Sequence, residues 1–218
     1  MRRKISKIIS LYKKTQKTES NFYAVFLKQL YYYFFYRKNI IAYQNTTIKG
    51  VKNISANGLL NIGVQYVGFS HSNDVTLLNI GGKLILKSGY SIGRGCRFDI
   101  GENAIISFGK GGYTNVNTKF IIMHGLQVGN NCVISWDCQF LDEDFHKVYY
   151  DGREKKPKKI IIGNNVWIGA GAKIYQGTRV ADGSVIAVNA VVRGQFLEKN
   201  TIIGGNPAKV VKSSIKWE

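Results

Sequence analysis

The sequence predicts an all-β chain wound into a parallel β-helix, on three observations. Aliphatic residues recur at every sixth position through residues 162–192: Ile162, Ile168, Ile174, Val180, Ile186 and Val192. A small or medium side chain stands four places after each of the first five: Val166, Ala172, Thr178, Ser184 and Ala190. Gly and Asn fall between them, where a turn needs permissive backbone. A period of six is neither the 3.6 of a helix nor the 2 of a single strand. It is the period of a coil in which each hexapeptide is one short strand and a turn, with three hexapeptides, about eighteen residues, closing a triangle. Ile162 is then expected opposite Val180, Ile168 opposite Ile186, and Ile174 opposite Val192.

The elements follow in order. Residues 1–20 read as a basic arm or short helix, and residues 21–43, crowded with Phe and Tyr, as an aromatic helix. That helix has two compatible readings. It closes the open end of the coil, which otherwise exposes core and unpaired backbone, or it lies on an anionic membrane. The division is 1–45 as arm and cap and 46–218 as the β-helix. The rhythm is weak at Ile48, Ile54 and Leu60. It firms at Ile80, Leu86, Ile92 and Phe98, slips by two to Ile100 and Ile106, and resumes at Ile122, Val128, Ile134 and Phe140. Residues 109–118 break it and read as a polar loop. At His146 the inward aliphatic is missing and a basic excursion follows, before the chain rejoins at Ile162. Residues 208–218 are expected to form a short helix on the last coil.

The formal net charge is +18, which invites anionic partners. Residues 1–45 hold ten Lys or Arg against the single acid Glu19, and residues 147–159 hold six bases and two acids. No nucleic-acid motif accompanies this charge, so no nucleic-acid partner is expected. Cys96, Cys132 and Cys138 fall at the small-residue position of the repeat, as packing residues. An odd cysteine count points to a reducing cytoplasm. No apolar run is long enough to span a bilayer, so the expected location is cytoplasmic, with peripheral membrane contact at most.

The stretch LDEDFHK, residues 141–147, holds the candidate chemistry. In extended backbone Asp142, Asp144 and His146 share a face. A carboxylate beside an imidazole raises its basicity and sets its tautomer, which suits a general base. His71, His124 and His146 have no metal-site spacing, so no metal is expected.

DEDFHK, a basic excursion, IIIGNNVWIGAGAKI and finally IIGGNPAKVVK occur in that order. This resembles the left-handed β-helix acyltransferases, nearest the maltose, galactoside and lipopolysaccharide O-acetyltransferase branch. The likeness covers residues 128–212 closely and the rest loosely. It implies left-handed winding, acetyl-CoA as acyl donor and a homotrimer with sites between subunits. It also implies a sugar or polysaccharide acceptor, in surface polysaccharide biosynthesis. His146 matches the family's base, with Asp144 orienting it, and Asp142 and Trp136 fall on the acceptor side. Trp167, Ala170 and Val188 match places along which the donor's pantetheine arm runs. Arg193 and Lys209 stand as cations for its phosphates. The chain departs from the family's usual Gly-Ala-Gly-Ser at Ala187-Val188-Asn189-Ala190, and from its Thr-Lys pair at Arg193-Gly194. An N-acetyltransferase of amino sugars and a non-catalytic binding β-helix are the alternative readings. A β-helix carbonic anhydrase is disfavoured by the histidine spacing.

Overall fold

The computed structural model describes residues 2–146, 149 and 158–218. Its strands form sheets of nine, seven and seven members, the three faces of a prism. We call them A, B and C in the order the chain visits them. Val133–Ile134 lies on face A, Gln139–Leu141 on B, Ile160–Ile162 on C, and Trp167–Ile168 again on A. Neighbouring strands within each face are parallel, with one antiparallel exception at the carboxyl end. The registers are those expected: Ile162 opposite Val180, Ile168 opposite Ile186, and Ile174 opposite Val192. All six are buried, as are the five small corner residues.

The earlier coils are larger for a simple reason. Their strands are four or five residues long, as in Lys83–Leu86, Arg97–Ile100 and Lys119–Ile122. A four-residue strand turns two side chains inward, so Phe98 and Ile100 are both buried. The apparent two-residue slip is this second inward residue. The added volume is filled by rings: Phe98 stacks on Phe120 at 4.3 Å and Phe120 on Phe140 at 4.7 Å. Offset stacking at such spacings adds to area burial.

Residues 109–118 are not the polar loop expected. Tyr113–Thr114 is a face A strand paired with Val133–Ile134, and Thr114, Val116 and Thr118 are buried. Threonine replaces aliphatic residues here because each hydroxyl finds a partner. Thr114 bonds the Tyr90 hydroxyl at 3.0 Å, and Thr118 donates to the Ser135 carbonyl at 3.1 Å. The sixfold run is interrupted twice. Residues 65–75 separate a face A strand from a face B strand, and beyond Leu141 the next strand, on face C, begins only at Ile160. Of the basic excursion, residues 147, 148 and 150–157 lie outside the described residues.

The amino-terminal segment forms two helices, α1 (Arg2–Lys17) and α2 (Phe22–Tyr36). Asn21 caps α2 by accepting from the Ala24 N–H at 3.0 Å. Tyr32 joins the core of the prism, while Val25 packs with Leu11, Ile41 and Tyr43. The buried Arg94 donates to the Thr18 carbonyl, tying the end of α1 to the coil. The prism begins earlier than residue 46, because Ile40–Ala42 already pairs with Leu60–Ile62 on face A.

The carboxyl-terminal helix expected over 208–218 is absent. Ala208–Lys212 is instead a strand, antiparallel to Ile202–Gly205. Ile202–Gly205 would otherwise end face A with a free row of N–H and C=O groups. Folding the chain back satisfies that row. The tail then returns to face A, where the Trp217 Nε1–H donates to the Asn165 carbonyl at 2.9 Å.

Candidate functional site

The described site residues gather at two corners of the prism. The first is the corner between faces B and C, where successive coils bring Met123, residues 142–146, Lys158, Gln176 and Arg193 into one column. Met123, Glu143, Asp144, Phe145, His146, Lys158 and Gln176 line a cleft of about 470 Å³ there. Asp142, Glu143 and Asp144 have three different environments.

Asp142 is fully buried. Its carboxylate accepts from the backbone N–H groups of Met123 at 2.7 Å, His124 at 2.9 Å and Gly125 at 2.6 Å. The residue therefore holds the turn of the preceding coil and does not share an open face with His146. The alternation that predicted a shared face ends with the strand at Leu141.

Glu143 is paired with a lysine and a histidine from the same corner, neither of them His146. It accepts from Lys158 Nζ at 2.5 Å and from His124 Nε2 at 2.7 Å. These hydrogen bonds, Lys158 foremost and His124 next, lower its carboxyl to a pKa of about 2. An ionised carboxylate only accepts, so His124 Nε2 bears the proton in this contact. His124 and Lys158 are thus part of the site, which their sequence positions did not reveal.

Asp144 accepts from Gln176 Nε2, and Arg193 lies 3.9 Å from it. Its described partners are these two side chains rather than the His146 imidazole. Arg193, expected near the donor's phosphates, is grouped here with the acidic loop. His146 is exposed at the rim of the same cleft. It follows Phe145, whose φ of +60° is uncommon for a bulky side chain and costs roughly 1 kcal/mol. Such backbone is tolerated where the surroundings impose it, and it collects at functional sites.

The second corner lies between faces A and B. Trp136, Trp167, Ala170 and Val188 line a cleft of about 310 Å³ there. The Trp167 Nε1–H donates to Ser135 Oγ at 3.0 Å, and its ring lies 6.2 Å from that of Trp217. Val188 is 61% exposed. Gly171 N–H and Asn189 N–H bond the Trp136 and Ala170 carbonyls of adjoining coils, but the N–H groups of Ala170 and Val188 have no partner among the described residues. Two open N–H groups beside shallow side chains fit an extended, amide-bearing acyl donor. Lys209 pairs with Gly204, on the strand next to the one leading into Val188.

Trp136 is met at this corner by Phe69, edge to face at 6.0 Å. Phe69 belongs to the 65–75 loop, whose Tyr66 stacks on Tyr113 at 4.9 Å. The loop has no sixfold signal, so only its irregularity could have drawn attention to it.

The three cysteines are buried. Burial pushes their thiols up to about 12 for Cys96 and Cys138 and about 11 for Cys132. They are packing residues, as their place in the repeat predicts.

Residues 159–194 match the bacterial transferase hexapeptide (six repeats) family. An uncharacterized 24.8 kDa protein in the cps region of Klebsiella pneumoniae is 35% identical over 216 residues, 98% of this chain and 97% of its own length. The galactoside O-acetyltransferase of Escherichia coli (strain K12) is 30% identical over 118 residues, covering 53% of this chain and 56% of that protein. The polysialic acid O-acetyltransferase OatWY shares the fold. Its TM-score is 0.55 at 20% identity, covering 83% of this chain and 88% of that one. The winding is the left-handed β-helix expected.

Proposed function

The chain belongs to the hexapeptide-repeat acyltransferases, and we propose that it transfers an acetyl group from acetyl-CoA to a sugar hydroxyl of a surface polysaccharide or its precursor. One observation carries this reading. The column of regular coils opens between faces B and C at a cleft lined by an exposed imidazole, two carboxylates and Lys158, with Arg193 beside Asp144.

In this reading His146 takes the proton of the acceptor hydroxyl as that oxygen attacks the thioester carbonyl. The tetrahedral oxyanion is met by a backbone N–H at a neighbouring turn. Collapse expels the CoA thiolate, which receives the proton from His146. Asp144, held by Gln176 and Arg193, and Glu143, held by Lys158 and His124, provide fixed acceptors for sugar hydroxyls. Such acceptors recognise a hydroxyl-rich ligand more sharply than apolar walls do. Phe69 and Trp136 offer ring surface to the apolar side of a pyranose.

The donor group at Trp167, Ala170 and Val188 stands on a different corner from His146. Gly171 and Gln176 are five residues of largely extended chain apart, roughly 15 Å. A threefold assembly that sets the A–B corner of one subunit against the B–C corner of the next would join the two groups. We therefore assign the enzyme a homotrimeric state with sites between subunits. Lys209, on the A–B side, remains our candidate for the phosphates of the donor.

The test is acetyl-CoA turnover followed by thiol release, with the acetylated product mapped by NMR. Wild-type protein should acetylate a sugar oxygen. His146→Ala should keep the melting temperature and lose at least ~100-fold in kcat, the usual scale for a general base. A folded His146→Ala protein of wild-type activity would remove His146 from the mechanism.

A further inference from the structure

The transfer chemistry leaves the amino-terminal helices unexplained. We infer that they are a docking surface for the anionic headgroup face of a lipid bilayer. α2 turns Val25 and Tyr32 towards the first coil and its neighbours. On the opposite side Tyr23, Leu27, Tyr31 and Phe34 form an exposed stripe at helical spacing, 47–74% accessible. Ile8 and Tyr12 of α1, one turn apart, are exposed as well. Monomers seldom leave large apolar side chains contiguous in water, and such patches mark interaction surfaces.

The charge of the same segment selects the occupant. Residues 1–45 hold ten Lys or Arg and one acid. A second copy of this segment is a poor match, since it carries the same excess of positive charge. An anionic bilayer answers both properties at once. Lys and Arg meet lipid phosphates, while the rings settle at the headgroup boundary, where Tyr is favoured. The arrangement lies on the membrane and does not cross it. α2 has 15 residues, about 22 Å of helix against a hydrocarbon core of roughly 30 Å. No helix among the described residues is long and apolar enough to span. The inference is independent of the acetyl-transfer reading, because it uses neither corner of the prism that holds the candidate site.

The test is flotation of the full chain with vesicles of phosphatidylcholine alone, and with about one-third phosphatidylglycerol added. Binding is expected only to the anionic vesicles, and at least tenfold weaker in high salt, which screens surface charge. Two variants separate the contributions. Y23S/L27S/F34S removes the stripe, and K13Q/K14Q/K17Q removes charge at exposed positions of α1. Each should lose at least tenfold in binding to anionic vesicles, with unchanged melting temperature and unchanged turnover of a soluble acceptor. Equal binding by wild type and Y23S/L27S/F34S, or no binding by wild type, would overturn the inference. So would a change of oligomeric state in Y23S/L27S/F34S without vesicles, which would assign the stripe to contacts between subunits.

Discussion

At the scale of single residues, the acidic loop separates support from chemistry. Asp142 bonds three backbone N–H groups from within the core. Asp142→Ala should therefore act on stability, leaving buried donors without partners at a cost of about 3 kcal/mol. The urea midpoint should fall clearly, and Asp142→Asn, which keeps one acceptor oxygen, should lose less. Equal midpoints for all three proteins would contradict this role. Glu143 makes a prediction in pH. Its pKa drops from 4.5 to about 2 in the folded chain. A depressed carboxyl stabilises the fold above its unfolded pKa and loses that contribution as pH falls towards the folded value. The stability difference between wild type and Glu143→Gln should shrink as pH falls from about 4.5 to 2. A difference independent of pH over that range would show that Lys158 and His124 do not hold the carboxylate.

At the scale of elements, the corner is the functional unit. A hexapeptide turn places short side chains and left-handed residues where chain can pass close by. Asn131, Asn165 and Asn189 occupy that conformation, with φ from 51° to 57°, because their side chains tolerate it better than most. The A–B corner is shallow enough for a ligand to reach backbone, and bulk placed there should block it. Val188→Trp, at an exposed position, should fold as wild type and raise the KM for acetyl-CoA at least tenfold. The acceptor KM should change little. An unchanged donor KM would exclude this corner from donor binding. Part of this was legible. The resemblance singled out Ala170 and Val188, while the approach of Phe69 to Trp136 depends on an irregular loop.

At the scale of the whole molecule, the proposed trimer makes the two residue groups halves of one site. His146→Ala damages only the B–C half and Val188→Trp only the A–B half. If sites form between subunits, trimers assembled from equal amounts of the two variants will contain intact sites. Random assembly leaves about one quarter of interfaces with both halves undamaged, so about one quarter of wild-type activity should return. Failure to recover any activity from mixed trimers, verified by mass, would place each site within a single chain. In the proposed trimer, cyclic symmetry would turn all copies of α2 to one end, which would multiply any weak affinity of that end for a surface.

The sequence by itself determined the prism, because the cross-section of a β-helix is written in a local rule. Every sixth side chain must fill the axis and every corner must admit a tight turn, so residues 162–192 specify register and face without distant contacts. It also marked His146, where that rule is broken. The tertiary structure alone decided the roles within the break. Asp142, Glu143 and Asp144 are consecutive carboxylates with the same chemistry in a string of letters. They become a core anchor, an ion pair with Lys158 that also bonds His124, and a partner of Gln176 and Arg193. Those partners come from other coils, stacked on the same corner by the winding of the chain. The same holds at the carboxyl end, where a strand replaced the expected helix because face A ended in an open edge.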